Sequence, residues 1–283
     1  MMPLVTTGAM LSAAQQNGYA VAAFNCENME MIQAVIAAAE KMNAPVILQT
    51  TPSTIRYASA AIFAATVAAA AHHAPVPVAL HLDHGSSHDL AAEALAAGYT
   101  SVMIDGSALP FDENIAFTKR TVQICAKAGI PVEGELGRVG GKEDDHESDG
   151  CGYTDPDEAV RFVAETGVSS LAIGIGTAHG IYSEKPTLKP TLISVLKQKI
   201  SVPMVLHGAS GLGDVVVRDC IARGISKVNF ATELRQTYTQ AVRDYLKQDR
   251  ECFDPKRFGQ AARDAVQARV TTMIAVCGSA GKA

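Results

Sequence analysis

Short apolar runs alternate with amphipathic or alanine-rich segments along the whole chain. The runs are rich in Val, Ile, Leu and Ala and have the length of buried strands, whereas the segments between them repeat their apolar positions with helical spacing. The pattern predicts eight strands, at residues 20–25, 45–50, 76–82, 101–105, 131–136, 169–173, 202–207 and 226–230. Because helices separate the strands, neighbouring strands should be parallel, and eight such units favour a closed α/β (β/α)8 TIM barrel over an open doubly wound sheet.

The predicted connections complete this barrel within one domain. Helices are expected at residues 28–41, 54–73, 87–97, 112–128 and 157–166, and a long polar loop follows the fifth strand. A single (β/α)8 domain would cover residues 1–283, with additional C-terminal helices forming an extension over about residues 250–283. The first strand is not followed by a G-x-G-x-x-G motif that opens a helix, which argues against a Rossmann domain.

The third predicted strand ends in a cluster of ionisable residues. His81, Asp83 and His84 stand at the end of an apolar run and directly before Gly85. Strand alternation points His81 and Asp83 to one side and His84 to the other, until the turn redirects the last residues. A single His at a strand end is more often structural, but several polar groups so close together favour a functional site at the carboxyl end of the barrel.

Polar residues stand at, or just after, the ends of all eight predicted strands. They are Asn25, Gln49, Asp83, His84, Asp105, Glu133, Glu135, His179, His207 and Asn229. In a parallel barrel they would converge on one mouth. Three of them, His84, His179 and His207, each precede a glycine, and three imidazoles with an open fourth position are typical of a catalytic zinc site. The alternative is that each is a hydrogen-bonded barrel residue.

Two loops near the end of the barrel sequence favour phosphate binding. Residues 207–213 read HGASGLG after the seventh strand, and residues 229–232 read NFAT where the eighth strand meets its helix. Backbone N–H groups at helix N-termini attract anions, and these two loops commonly form the phosphate site of barrel enzymes. The alternative is that Gly-Ala-Ser-Gly is merely a turn.

Composition and charge limit the kinds of molecule that the protein is expected to bind. Apolar residues make up 48% of the chain, and the net charge of −5 implies neither nucleic acid nor a membrane surface as a partner. Residues 218–283 carry 12 of the 24 Lys and Arg, either as solvated helix faces or as contacts to an anionic substrate. The six cysteines lack CxxC spacing, and no leader or spanning segment is expected, so the chain is interpreted as a reduced, cytoplasmic protein.

Four segments resemble the class II, zinc-dependent fructose/tagatose-bisphosphate aldolase family, and the resemblance covers nearly the whole chain. They are LHLDHG at residues 80–85, VEGELGRVGGKEDD at 132–145, GTAHGIY at 176–182 and VLHGASG at 205–211. Residues 229–234, NFATEL, are most similar to the tagatose-bisphosphate branch. The resemblance implies an aldehyde-lyase that reversibly cleaves tagatose 1,6-bisphosphate to dihydroxyacetone phosphate and glyceraldehyde 3-phosphate.

The resemblance also implies a role for particular residues. The zinc would be held by His84, His179 and His207, while Asp105 and Glu135 support the site or hold an alternative metal position. Asp83 would protonate the aldehyde in the condensation direction, and Glu143 would move a proton at the ketose side. The residues expected around the substrate are Asn25, Gly180, Gly208, Ala209, Ser210, Asn229, Phe230, Ala231 and Thr232.

Further implied partners lie at the edges of the site. A monovalent cation, Na⁺ or K⁺, is expected near Gly180 and Gly208, and Lys256 or Arg257 is expected to meet the far phosphate from a neighbouring subunit. The resemblance therefore implies a homodimer or homotetramer, with a non-catalytic accessory subunit as an open alternative. The loop over residues 137–152 is predicted to be mobile and to carry Glu143 over the metal, against the alternative of a merely solvated insertion.

Two departures from the family pattern bear on the substrate. Ser183 stands where fructose-specific members of the larger subtype have a lysine, and Ala231 stands where they have an aspartate. These positions favour tagatose bisphosphate over fructose bisphosphate. The remaining alternatives are a fructose-1,6-bisphosphate aldolase, an aldolase for a related phosphorylated or sulfonated sugar of inositol or sulfosugar catabolism, and a catalytically silent partner subunit.

Overall fold

A closed barrel of eight parallel strands forms the centre of the protein. The computed structural model describes residues 4–143, 146–148, 152–180 and 186–283. The barrel strands, in spatial order, are β1 Val21–Asn25, β2 Val46–Thr50, β3 Val78–Gly85, β4 Ser101–Ile104, β5 Val132–Leu136, β8 Ser170–Ile173, β10 Met204–Leu206 and β11 Ile225–Phe230, and β11 closes onto β1. The predicted (β/α)8 barrel is confirmed. Several strands begin one or two residues later than predicted, in part because residues such as Pro131 offer only a carbonyl oxygen to the neighbouring strand.

Eleven helices in the described part of the chain surround or extend this barrel. They are α1 Thr7–Asn17, α2 Met29–Met42, α3 Pro52–Ala58, α4 Ala60–Ala71, α5 His88–Ala97, α6 Phe111–Ala126, α7 Pro156–Thr166, α8 Thr191–Lys199, α9 Asp214–Arg223, α10 Thr232–Gln248 and α11 Pro255–Cys277. The prediction of one helix over residues 54–73 is wrong. Ser59 adopts φ 67° and ψ 148°, which ends α3, and its side chain then accepts the N–H of Ile62 to begin α4.

α1, which the sequence pattern did not predict, closes the amino end of the barrel. Its buried residues Met10, Leu11 and Ala14 pack against inward-facing side chains at the start of the strands. Those strand side chains are Val21, Ala23, Ile47 and Ala79. The amino half of the barrel interior is therefore apolar and filled.

The last two helices differ in how much they bury. α10 is 17 residues long and buries only Leu234, whereas α11 buries residues along much of its length and contacts α2, α9 and β1. At its end the carbonyl of Cys277 accepts the N–H of Ala20, next to β1. α11 thus takes the place of the eighth barrel helix, and α10 is an arm that leads to it.

A small second sheet stands beside the barrel strands. β6 Gly140–Glu143 pairs antiparallel with β7 His146–Ser148 and parallel with β9 Ala178–His179. The polar loop predicted after the fifth strand therefore contains a hairpin. The predicted mobility of residues 137–152 falls partly on residues 144–145 and 149–151, which lie outside the described residues.

Within the described ranges, no single helix is both long and apolar enough to cross a membrane. α3 and α4 would reach that length only as a pair, and they are bent by 90° at Ser59.

Candidate active site

The carboxyl half of the barrel interior is polar because the strands alternate and β3 turns at its end. Asp83 points inward by alternation, and His84 follows it with φ 48°, a left-handed conformation that is uncommon outside glycine. The pairing of β3 with β4 shifts register between Leu82 and Gly85 at the same place. This turn redirects His84 into the barrel, as predicted from the sequence.

Three imidazoles meet above this turn. One ring nitrogen from each of His84, His179 and His207 lies within 4.8 Å of the others, and all three residues are buried. The ring centroids are 4.8 to 5.9 Å apart. The structure therefore brings together the three histidines predicted to bind metal, from β3, from β9 and from the residue directly after β10.

Carboxylates on the outer side of two of these rings decide which nitrogen carries the proton. Asp105 Oδ2 lies 2.8 Å from His84 Nδ1, and Glu133 Oε1 lies 2.9 Å from His207 Nε2. A carboxylate can only accept, so both outer nitrogens are donors. The inner nitrogens, His84 Nε2 and His207 Nδ1, then face each other as lone pairs 2.9 Å apart. Two lone pairs at this distance repel unless a cation or a proton lies between them, so the donor set fits a metal ion.

The charge around the cluster favours a cation as well. Burial alone would lower the pKa of His84, but Asp83, Asp105 and Glu135 together hold it well above its ordinary value. Burial and the charge of Asp105 raise the pKa of Glu135 well above its usual range. Glu135 Oε2 accepts no hydrogen bond within the described part of the chain. Together with His84 and Asp105, Glu135 forms a second group that is close enough to hold a metal ion.

Asp83 is fully buried beside the cluster and is held by two amides. Asn25 Nδ2 donates to its Oδ2 at 2.8 Å, and Asn229 Nδ2 donates to its Oδ1 at 3.1 Å. Gln49 in turn donates to Asn25 Oδ1. Burial would raise the pKa of Asp83, but the charges of His84, His207 and Lys227 and the bond from Asn25 bring it below its ordinary value. The arrangement supplies an ionised carboxylate that can take a proton at the mouth of the barrel.

The two predicted phosphate loops touch each other. Ser210 Oγ accepts the N–H of Ala231, which joins the loop after β10 to the loop after β11. α10 begins at Thr232 with no side-chain cap, so its first N–H groups need acceptors from outside the helix. Gly208 has φ 65°, and a Cβ there would lie 2.6 Å from Ala178 O, so only glycine permits this approach to β9. Ala209, Asn229, Phe230 and Ala231 are all buried around these loops.

Three further residues that were predicted for the site are Gly180, Glu143 and Arg257, and the structure places each of them differently. Gly180 follows His179 directly with φ 85°, and Glu143 ends β6, although its side chain lies outside the described part of the structure. Arg257 pairs with Asp249 at 3.0 Å and stacks on Tyr245. Asp249 follows the last residue of α10, and the 17 residues of this helix, at 1.5 Å per residue, separate the Arg257–Asp249 pair from the phosphate loops by about 25 Å. The structure does not bring Arg257 to the histidine cluster of its own chain.

Part of the polar network below the histidine cluster was not predicted from the sequence. Lys227 is completely buried and donates to Glu133 Oε2 at 2.8 Å, and His81 Nε2 lies 3.4 Å from the same ammonium group. Lys227 and Asn229 are two positions apart on β11 and both face inward. The sequence did contain a signal for this network: a lysine in the middle of an apolar strand, two positions before a polar residue at the end of the same strand, so that both side chains point to the same face.

Comparison with known proteins agrees with this fold. Residues 5–282 match the family model for fructose-bisphosphate aldolase class-II. The chain is similar to the YdjI aldolase from Escherichia coli K12, with 37% identity, 99% coverage of both chains and a TM-score of 0.87. It is also similar to a candidate fructose-1,6-bisphosphate aldolase from Coccidioides immitis, with 31% identity, coverage of 97% and 96% and a TM-score of 0.89.

A third solved structure, the fructose-bisphosphate aldolase from Campylobacter jejuni, shares the fold at 23% identity, with coverage of 99% and 97% and a TM-score of 0.85. The barrel with its histidine and carboxylate mouth is that of an aldehyde-lyase. The chain belongs to the class II fructose-bisphosphate aldolase family.

Proposed function

We propose that the protein is a zinc-dependent aldolase that reversibly cleaves tagatose 1,6-bisphosphate to dihydroxyacetone phosphate and glyceraldehyde 3-phosphate. The observation that carries the metal-dependence is the pair of inner nitrogens, His84 Nε2 and His207 Nδ1, held 2.9 Å apart by carboxylates on their outer sides. With His179 they supply three imidazoles, the ligand set of a catalytic zinc site. When bound, the zinc ion would polarise the ketose carbonyl and stabilise the negative charge that develops there.

The protein's own residues would move the protons. In cleavage, Asp83 takes the proton of the C4 hydroxyl while the C3–C4 bond breaks, and in condensation it returns that proton to the aldehyde oxygen. The two amide donors hold its carboxylate in one orientation for this transfer. Glu143 gives the proton to C3 of the three-carbon product. Asn229 Oδ1 is buried without a hydrogen bond from the described residues and is positioned to accept one from a substrate hydroxyl.

The phosphate of the dihydroxyacetone half would bind between the two joined loops. Gly208, Ala209, Ser210 and Thr232 offer N–H and hydroxyl donors there, and Gly180, Phe230 and Ala231 complete the surface. We place a Na⁺ or K⁺ ion near Gly180 and Gly208. Asp105 and Glu135, which lie on the outer side of His84, would support the metal site or hold an alternative metal position.

The exposed arm α10 supports a homodimer or homotetramer. It buries a single residue within its own chain, and Arg257, in the first turn of α11 beyond the far end of α10, cannot reach its own phosphate loops. A neighbouring subunit would cover the arm and receive Arg257 at the far phosphate. The unpaired described cysteines, Cys26, Cys125, Cys220, Cys252 and Cys277, support a reducing cytoplasmic setting.

Kinetic comparison of substrates tests the proposal. The purified protein should cleave tagatose 1,6-bisphosphate with a higher kcat/KM than fructose 1,6-bisphosphate, and chelation should abolish cleavage of both until Zn²⁺ is restored. Borohydride added with substrate should not inactivate the enzyme, because the mechanism uses no Schiff base. A preference for fructose 1,6-bisphosphate would support the second candidate, which the family name favours. Full activity in metal-free protein would contradict the metal assignment.

A further inference from the structure

One lysine is buried inside the barrel, where the proposed reaction does not use it. Lys227 has no exposed side-chain surface. It points inward from β11, one inward position before Asn229, and therefore lies deeper in the barrel than the residues around the substrate. Lysine is almost never fully buried unless it is paired, so its contacts indicate what it is held for.

The ammonium group of Lys227 is connected to the metal cluster through one carboxylate. Its Nζ donates to Glu133 Oε2 at 2.8 Å, and the other oxygen of Glu133 accepts from His207 Nε2 at 2.9 Å. Both carboxylate oxygens are thus occupied, which fixes the plane of the group. Glu133 itself is buried, so its charge has Lys227 as its counter-ion.

A second set of hydrogen bonds holds Lys227 from the amino side of the barrel. His81 Nε2 lies 3.4 Å from Lys227 Nζ, and His81 Nδ1 lies 2.8 Å from Ser101 Oγ. Ser101 Oγ is 2.9 Å from Thr7 Oγ1, at the first residue of α1. Because the ammonium can only donate, His81 Nε2 is an acceptor and the ring is neutral. Burial and the charge of Lys227 lower the pKa of His81 well below its ordinary value, in agreement with a neutral ring.

We propose that Lys227 is a positioning residue for the metal ligand His207. By holding Glu133 Oε2, Lys227 keeps Glu133 Oε1 on the Nε2 proton of His207, and this leaves His207 Nδ1 free to bind the metal. The inference rests on the metal-dependence proposed above. A role for Lys227 as an amine nucleophile does not fit, because its nitrogen is buried against a carboxylate at 2.8 Å.

Metal affinity of the full-length protein tests this role. Lys227→Met keeps an unbranched side chain that is one heavy atom shorter and removes its charge, and Glu133→Gln keeps an acceptor for His207 while removing the opposite charge. Each purified variant is titrated with zinc in competition with a chromophoric chelator, and its thermal unfolding is recorded as a check on folding. Lys199→Met, which removes a surface lysine paired with Asp157, is the control.

The expected result is a loss of zinc affinity of about 10- to 100-fold for Lys227→Met, the range found when groups that orient metal ligands are removed. The control should bind zinc as the wild type does. If Lys227 acts through Glu133, the double variant should bind zinc no more weakly than the worse single variant. A lysine that only stabilised the core would lower the unfolding temperature and leave zinc affinity unchanged.

Two outcomes would overturn the inference. One is a folded Lys227→Met protein that binds zinc within about twofold of the wild type, and the other is a double variant whose loss equals the product of the two single losses. If Lys227→Met does not fold, the double variant, in which neither charge remains, is compared with Glu133→Gln, and a further tenfold drop in affinity contradicts the proposal. Failure of the wild type to bind zinc would instead contradict the proposed function.

Discussion

The two halves of the barrel interior are equally buried but are built from opposite kinds of residue. The amino half packs Val21, Ala23 and Ile47 against α1, whereas the carboxyl half holds Asp83, the histidines and their carboxylates. Burying apolar surface stabilises the fold by roughly 25 cal/mol per Å², while burying a polar group costs free energy unless it is hydrogen-bonded. The amino half therefore stabilises the barrel, and the carboxyl half is tolerated because its polar groups hold one another.

Between the two halves lies a layer of buried polar residues that contacts both of them. Lys227, His81 and Ser101 are buried as deeply as the apolar residues, yet their hydrogen bonds connect them to the histidine cluster on one side and to α1 on the other. Substitutions in the carboxyl half should mainly change chemistry, and those in the amino half should mainly change stability.

The largest expected effect comes from Asp83→Asn in the carboxyl half. An amide cannot take the C4 hydroxyl proton, so kcat should fall by about 10²- to 10⁴-fold. Metal content should stay near that of the wild type, because Asp83 is not one of the three residues proposed to bind the metal. Turnover and bound zinc are measured on the same preparation.

A matched substitution provides the control for this experiment. Asp157→Asn removes an exposed carboxylate that pairs with Lys199 and should leave kcat unchanged. If Asp83→Asn lost zinc and turnover in equal proportion, Asp83 would be a structural support of the cluster, and the proton would have to be moved by another group.

A smaller effect, of a different kind, is expected from Leu11→Ala in the amino half. Leu11 is 2% exposed and packs in the cluster that closes the barrel. Truncation should lower the free energy of unfolding by about 2–5 kcal/mol, measured by urea denaturation. kcat of the folded protein should not change.

The half-exposed Leu109 offers the corresponding control. Leu109→Ala should shift the free energy of unfolding by less than about 0.5 kcal/mol. A large loss of kcat in folded Leu11→Ala would show that α1 influences the site, and the division between the two halves would be wrong.

The apolar pattern predicted most of the scaffold because buried strands differ sharply from the helices around them. It failed where the signal was weak. α1 mixes its few buried positions with Ser, Gln and Asn, and the break at Ser59 lies in an alanine-rich stretch without Pro or Gly. Both features are decided by tertiary packing and by one backbone angle, which periodicity does not report.

The site was predicted less completely than the barrel. The histidines and carboxylates at strand ends could be found because they interrupt apolar runs, but their hydrogen-bond partners could not. To predict the contact of Lys227, one must know that its side chain points inward from β11 and that Glu133, on a strand far away in the sequence, lies within reach of it. Lys256 or Arg257 was predicted to meet the far phosphate from a neighbouring subunit, and within its own chain Arg257 pairs with Asp249. That expectation came from the family resemblance and not from the hydrophobic pattern.

The smallest expected effect is on the pH dependence of the free energy of unfolding, which should differ between substitutions in the polar and the apolar parts of the barrel. The pKa of His81 is well below its ordinary value, because burial and Lys227 disfavour the charged ring, with His207 and His84 acting in the same sense and Glu133 opposing them. The unfolded state, with a His pKa of about 6.5, therefore binds more protons than the native state below that pH. Stability from His81 is complete above about pH 6.5 and is lost as the pH falls towards the native pKa, by up to about 1.4 kcal/mol per pH unit.

His81→Gln should remove this dependence in metal-free protein. Urea unfolding at about pH 7, 6.3 and 5.5 should show the wild type losing up to about 1 kcal/mol more than the variant over this range. His84, whose pKa is shifted upwards, is present in both proteins, so the difference between their slopes reports His81. Leu11→Ala should lower stability equally at each pH, because the apolar half binds no protons. Identical pH slopes for wild type and His81→Gln would show that His81 is not held neutral in the native barrel.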